Sequence, residues 1–149
     1  MAALIIFVAL VAVAAFGGAR FHPGDWYAAL SKPDWTPPSW LFAPVWTLLY
    51  GGIAVAGWLV WRRSGGRLTP ALVLWLLQLG LNAAWSWLFF GLHRPGMALV
   101  DIAALLLCIL AFTIVARRLS PVSSLLFVPY ALWVAFATAL NLSIWQRNS

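Results

Sequence analysis

Five long stretches of this chain are almost unbroken runs of apolar side chains, and most of the polar residues lie between them. The runs are Ala2–Ala19, Leu41–Trp61, Ala71–Leu92, Met97–Ala116 and Val122–Trp145. About 20 apolar residues are enough to cross a bilayer core of about 30 Å as a helix. Lipid offers the backbone no hydrogen-bond partners, so each run is predicted as an α-helix. None shows the strict alternation of a transmembrane barrel strand. The pattern therefore predicts one all-α membrane domain over residues 1–149, a bundle of five transmembrane helices. The connections leave no room for a soluble domain. The first run lacks the Lys/Arg-bearing start of a secretory leader and is long for one, so it reads as a span.

Composition strengthens this class. The chain is 64% hydrophobic and 8% charged, against about 25% charged in ordinary soluble domains. Its mean hydropathy is +0.95. Five spans place the termini on opposite faces. Arg62, Arg63, Arg67, Arg117 and Arg118 fall on the face of the N-terminus, and Arg20, Lys32, Arg94 and Arg147 on the other. The positive-inside rule then puts the N-terminus in the cytoplasm. The net charge of +6 is divided among helix ends, which excludes the clustered basic surface of a nucleic-acid binder. The lone Cys108 lies inside the fourth run. It has no intramolecular disulfide partner and reads as a buried apolar thiol.

The longest interruption of the pattern is Arg20 to Ser39, and links of this length are usually functional. Asp25 is expected to cap a short helix starting at Trp26-Tyr27. Lys32-Pro33 ends it, Pro37-Pro38 stiffens the exit, and Ser39 is a candidate cap for the second span. A stiff, aromatic loop over a bundle reads as a lid. The alternative is an interfacial belt of Trp26, Trp35 and Trp40.

Polar residues inside the runs are the second interruption. Gln78, Asn82, Trp85 and Phe89 recur at helical spacing and share one face of the third span. Asn82 lies ten residues from Leu92, roughly 15 Å deep at 1.5 Å per residue. Trp133, Ala137 and Asn141 form one stripe on the fifth span. Trp46 and Tyr50 lie one turn apart on the second, and Asp101 sits near the lid end of the fourth. Such groups are costly in lipid and should point into the bundle. Each amide alone reads as interhelical glue. Three of them beside Trp46, Trp85 and Trp133, in a chain with eleven Trp, read as an aromatic pocket with a few polar contacts.

These residues carry a resemblance. Trp26-Tyr27, Lys32-Pro33-Asp34-Trp35-Thr36-Pro37-Pro38, Pro44-Val45-Trp46, Gln78-Leu79-Gly80-Leu81-Asn82, Phe89-Phe90-Gly91, Ala98-Leu99-Val100-Asp101 and the stretch from Pro129 to Thr138 resemble the TspO/MBR family. This is the tryptophan-rich sensory protein and translocator protein family, also called the peripheral benzodiazepine receptor family. The resemblance runs from the first helix to the C-terminus. It implies a five-helix bundle with a pocket beneath the first loop, binding tetrapyrroles such as protoporphyrin IX. In eukaryotic members it extends to cholesterol and benzodiazepine-site drugs. Bacterial members are linked to porphyrin-dependent signalling, stress responses and, in some, light-dependent porphyrin breakdown. The expected location is a bacterial membrane, as an integral multi-pass protein.

Carried over residue by residue, the resemblance makes Trp46 and Trp133 the pair tied to the pocket and to porphyrin breakdown. It makes Asn82 and Trp85 pocket-lining, Ala137 a small pocket position, and Trp35 with Pro37-Pro38 the lid. Tyr50, Phe89 and Asn141 join the expected ligand-binding set from the stripes above. Leu142 stands where the eukaryotic sterol-recognition stretch has Tyr, so cholesterol is not the expected native ligand. Two functions stay open: a porphyrin-binding sensor or transporter, and a light-dependent porphyrin-degrading enzyme with Trp46 and Trp133 as oxidisable, catalytic partners. His22 and His93 have no metal-ligand partner at helical spacing, and no metal or other cofactor is expected. Gly80 and Ala84 form a small-xxx-small pair offset from the pocket stripe. They predict a homodimer through the third span. Ala131, Ala135, Ala139 and Ser143 repeat that spacing on the fifth span and are expected to pack inside the bundle.

Overall fold

The computed structural model describes residues 1–149, and five of its helices are long and apolar enough to cross a membrane. They are α1 (Ala2–Ala19), α3 (Phe42–Arg63), α4 (Pro70–Ser86), α5 (Pro95–Ala116) and α6 (Pro121–Asn148). A short α2 (Asp25–Ala29) lies in the first connection, and a 3₁₀ turn, Ser39–Leu41, leads into α3. The predicted spans and these helices differ by a few residues at their ends, except that α4 stops at Ser86, well short of the predicted Leu92, and a π turn, Trp87–Gly91, carries the span on.

Local chemistry sets those ends. Three spans begin with Pro70, Pro95 and Pro121. A proline at the first helical position loses only an N–H that would have no helical partner. Thr69 and Ser120 cap two of these starts, accepting from Leu72 N at 3.3 Å and Ser123 N at 3.2 Å. The loop after α3 turns back through Gly65 and Gly66, at φ 68° and 76°. Glycine reaches that left-handed region without a Cβ clash.

The lid differs from expectation at both ends. Gly24 occupies the cap position of α2, and Asp25 is its first helical residue, without a side-chain capping bond. Ser39 likewise starts the 3₁₀ turn behind Pro38 and caps nothing. Lys32 finishes α2, its ammonium donating to the carbonyls of Tyr27 at 2.7 Å and Leu30 at 3.2 Å.

The spans close a ring. α1 packs between α3 and α4, α3 meets α6, α6 meets α5, and α5 returns to α4. The half away from the lid is tightly filled. Gly57 lets the Trp75 ring lie against the α3 backbone, where an added Cβ would stand 2.5 Å from Trp75 Cε2. Trp75 Nε1 donates to Ile53 O at 2.8 Å and fixes the ring. Phe7 closes on Trp75 at 5.0 Å and Phe112 on Phe127 at 4.0 Å. Outward positions such as Ile5, Val13, Val100 and Leu132 are exposed and apolar, as a lipid-facing surface requires.

One α6 expectation falls differently. The small face was expected to pack inward, yet Ala135 and Ala139 are exposed. The reason is rotational: Val134, Leu140, Asn141 and Ile144 turn inward, which carries Ala135 and Ala139 to the outside. α6 also continues through Pro129, whose missing N–H removes one bond from the ladder.

Candidate functional site

The lid-side half of the bundle holds a cavity of about 420 Å³. Its aromatic walls come from two directions. From α3 and α6, Trp46 meets Tyr50 at 5.4 Å and stands edge-on to Trp133 at 6.5 Å. From the lid end of α4, Trp85 stacks on Phe89 at 5.0 Å, and Phe90 meets Phe89 at 4.9 Å. The α-helical pattern gives way there to a π turn, Trp87–Gly91, closed by Leu92 N to Trp87 O at 2.8 Å. Such wide turns concentrate at functional sites. This one lets the consecutive Phe89 and Phe90 both line the cavity.

The polar residues of the stripes form two connected sets. Tyr50 Oη donates to Asn82 Oδ1 at 3.3 Å, Asn82 Nδ2 donates to Tyr130 Oη at 2.8 Å, and Tyr130 Oη donates to Gln78 Oε1 at 2.8 Å. Gln78 Nε2 ends the chain on Trp75 O at 2.8 Å. Trp85 Nε1 donates to Asn141 Oδ1 at 2.9 Å, and Asn141 Nδ2 donates to Pro95 O at 2.8 Å. These bonds join α3, α4, α5 and α6 around the cavity. They satisfy amides that would otherwise be costly in lipid. Asn82 and Asn141 are thus both glue and cavity wall, whereas Gln78 lies beneath the cavity as glue alone.

Two buried polar atoms have no partner, Trp133 Nε1 and Asp101 Oδ2. Asp101 is half-buried and does not line the cavity, although its neighbour Ile102 does.

Eight of the eleven expected ligand-binding residues line this one cavity: Trp46, Tyr50, Asn82, Trp85, Phe89, Trp133, Ala137 and Asn141. Trp35, Pro37 and Pro38 do not. The lid's other half covers the cavity, through Phe21, His22, Pro23 and Tyr27, with Ser39 at the exit. The cause is the docking of α2. Trp26 packs on Phe89 at 5.6 Å and stacks on His93 at 4.3 Å. Tyr27 packs on Phe90 at 5.6 Å, and burial pushes its phenol above the ordinary value of 10.0. Trp35 stands behind, 5.6 Å from Phe136, which backs Trp133 at 5.7 Å. Lid and belt therefore divide the loop: Trp26 is packed, while Trp35 is 48% and Trp40 71% exposed. A clamp ties the lid to the end of α6, where Asn148 Oδ1 accepts from Ser31 N at 3.0 Å and its Nδ2 donates to Ser31 O at 2.9 Å.

The sequence reading missed the contribution of α1, where Ala15, Gly18 and Ala19 line the cavity. Nothing in a uniformly apolar run singles them out. The doubled Phe89-Phe90 was the available signal for Phe90.

Fold and cavity together define a class: an integral, multi-pass membrane protein with an aromatic cavity at one end, beneath a structured loop. Comparison with known proteins narrows it. The model of the TspO/MBR family matches residues 3–146, and the chain belongs to that family. It is 41% identical to the human translocator protein over 139 residues, covering 89% of this chain and 82% of the human one. It is 41% identical to the tryptophan-rich protein TspO of Chlorobaculum tepidum over 150 residues, covering 97% and 95% of the two chains. The TspO of Archaeoglobus fulgidus is 40% identical over 149 residues, 98% and 97% of the two.

Proposed function

We propose that the chain is a membrane tetrapyrrole-binding protein, a sensor or transporter that takes a porphyrin such as protoporphyrin IX into the lid-side cavity. The observation that carries this reading is the cavity's make-up. Flat aromatic faces stand on two sides, and the polar groups between them are largely bonded to one another. Such a wall favours a flat, mainly apolar guest, whose desolvation costs little and whose ring system stacks well. The size, about 420 Å³, falls among ordinary small-molecule sites. Relatives named translocator protein and tryptophan-rich sensory protein support a role in moving or sensing a ligand. The greater number of arginines on the face away from the lid supports, by the positive-inside rule, a cavity on the non-cytoplasmic side.

The test is a dark titration of the purified protein with protoporphyrin IX, followed by illumination, with absorption and tryptophan fluorescence recorded. Saturable dark quenching that weakens in Trp46→Phe and Trp133→Phe supports the binder. Absence of saturable quenching refutes it, and protein-dependent photoproduct would move the reading to the enzyme.

The same proposal includes a homodimer through α4. Gly80 is exposed, and an added Cβ there would meet nothing within 4 Å. Ala84 is half-exposed one turn away, and small residues let helix backbones approach in lipid. Cross-linking in bilayers should show dimers in the wild type and monomers in Gly80→Leu with Ala84→Leu. A dimer that persists in the double variant rejects this interface.

A further inference from the structure

A second hollow lies on the opposite half of the molecule, about 290 Å³ and lined wholly by apolar side chains. Ile6, Phe7 and Leu10 of α1 form one bank, Leu72 and Leu76 of α4 the other, and Trp61 of α3 closes the end. Its floor is fixed, since Phe7 lies 6.4 Å from Trp61 and 5.0 Å from the pinned Trp75. Its rim is open: Ile6 is 59% and Leu76 45% exposed. A rigid apolar groove open towards the bilayer core suits a single acyl chain.

The mouth of the groove is cationic. Trp61 is followed by Arg62 and Arg63, and the next loop folds over its ring. Gly66 N donates to Trp61 O at 2.9 Å, and a Cβ on Gly66 would stand 3.3 Å from the indole. Arg67 follows directly on Gly66, and Arg63 lies two residues beyond Trp61 at the end of α3; both are exposed. Arg62 is held back over Trp58 at 4.9 Å. No carboxylate side chain is near. Of the three acidic residues in the chain, Asp25 and Asp34 are in the lid and Asp101 is towards the lid end of α5. Exposed guanidinium groups at this end of α3, without acidic partners, match a phosphate carried by the lipid itself.

We propose that this groove is a binding site for an anionic phospholipid, with an acyl chain between α1 and α4 and the headgroup phosphate on Arg63 and Arg67. A zwitterionic lipid fits the same groove but its headgroup has no net charge for the arginines. The site is independent of the lid-side cavity.

The test uses the full chain in dioleoylphosphatidylcholine bilayers with chain-spin-labelled phosphatidylglycerol or phosphatidylcholine, reading the motionally restricted fraction by electron spin resonance. Phosphatidylglycerol should be preferred, and the preference should fall by about fivefold for each arginine removed in Arg63→Gln and Arg67→Gln. Leu76→Trp, which fills the groove, should lower the number of restricted phosphatidylglycerol molecules per protein. Arg117→Gln with Arg118→Gln, on the same face but on the α5–α6 loop, should leave the preference in place. Equal restriction of the two lipids in the wild type would overturn the proposal. So would an equal loss from the Arg117/Arg118 pair, which would mean diffuse surface charge, or an unchanged lipid number in Leu76→Trp.

Discussion

The two halves of this bundle are built from the same helices and solve opposite problems. Away from the lid, glycine and aromatic rings interlock: Gly57 admits Trp75, and Phe112 meets Phe127 at 4.0 Å. Towards the lid, α3, α4 and α6 carry amides and phenols that bond across a space instead of filling it, leaving about 420 Å³. The comparison teaches where a membrane bundle can keep a hollow. Apolar packing alone would collapse or admit lipid. A ring of satisfied hydrogen bonds holds the helices apart at fixed distance while closing them together. One half supplies stability, and the other keeps the cavity shape.

Substitutions in the two halves should therefore separate stability from binding. The largest effect is expected at Gly57→Val. Its Cβ would fall 2.5 Å from a Trp75 ring that its bond to Ile53 O keeps from moving. Overpacking of this kind costs about 1–3 kcal/mol. The thermal midpoint in detergent should drop, while porphyrin affinity per folded molecule is retained. Lost affinity with unchanged stability would erase the distinction between the halves.

Asn141→Leu should act on both properties, because it frees Trp85 Nε1 and Pro95 O together. Hydrogen bonds between membrane helices average about 0.6 kcal/mol, with a maximum near 1.7, so a modest fall in thermal midpoint is expected. Ligand quenching should weaken alongside it as Trp85 loses its anchor. A variant that binds like the wild type would show that the amide only glues helices.

Smaller still is Asn148→Ala. The clamp on Ser31 is exposed, and a hydrogen bond there contributes about 0.5 kcal/mol, the low end for such bonds. With both clamp bonds lost, stopped-flow release of bound porphyrin should speed up about fivefold, with the thermal midpoint unmoved. Unchanged release would show that α2 docking alone holds the lid.

The least effect is expected from pH across the neutral range. Tyr27 has its phenol raised above 10.0 by burial against the bundle. A raised value means the docked lid favours the neutral phenol. That contribution is whole below pH 10 and is lost only as pH climbs through the raised value. Release rates should stay flat from pH 7 to 9 as far as Tyr27 is concerned, and Tyr27→Phe should remove the alkaline rise in release. A rise that survives in Tyr27→Phe would assign it to another group.

Much of this organisation was legible in the sequence because lipid imposes simple rules. Apolar runs had to be helices, and their lengths gave spans that match α1, α3, α4, α5 and α6 closely. Amides and Trp at helical spacing had to share a face, which brought Asn82, Trp85, Phe89, Trp133 and Asn141 to one cavity. Rotation was harder to read. Ala135 and Ala139 are exposed because α6 turns Val134 and Leu140 inward, and small residues carry no mark of the face they occupy. The lid was misjudged for a related reason. Prolines 37 and 38 advertise stiffness, but which half of a loop covers a cavity depends on docking. Trp26 and Tyr27 dock on Phe89 and Phe90, a contact across more than sixty residues of sequence that periodicity cannot see. The π turn at Trp87–Gly91 leaves no mark in the helical spacing of apolar residues.

The central claim is that the lid-side cavity is the porphyrin site, and Ala137 offers the most direct measurement. This small residue lines the cavity from α6, so Ala137→Phe should fill space there without breaking a hydrogen bond. Protoporphyrin IX should be titrated in the dark into wild type and Ala137→Phe, with tryptophan quenching and thermal midpoint measured on the same preparations. The account predicts an affinity loss of tenfold or more, about 1.4 kcal/mol, with the thermal midpoint nearly unchanged. Superimposable titration curves for the two proteins would contradict it and place porphyrin binding elsewhere on the molecule.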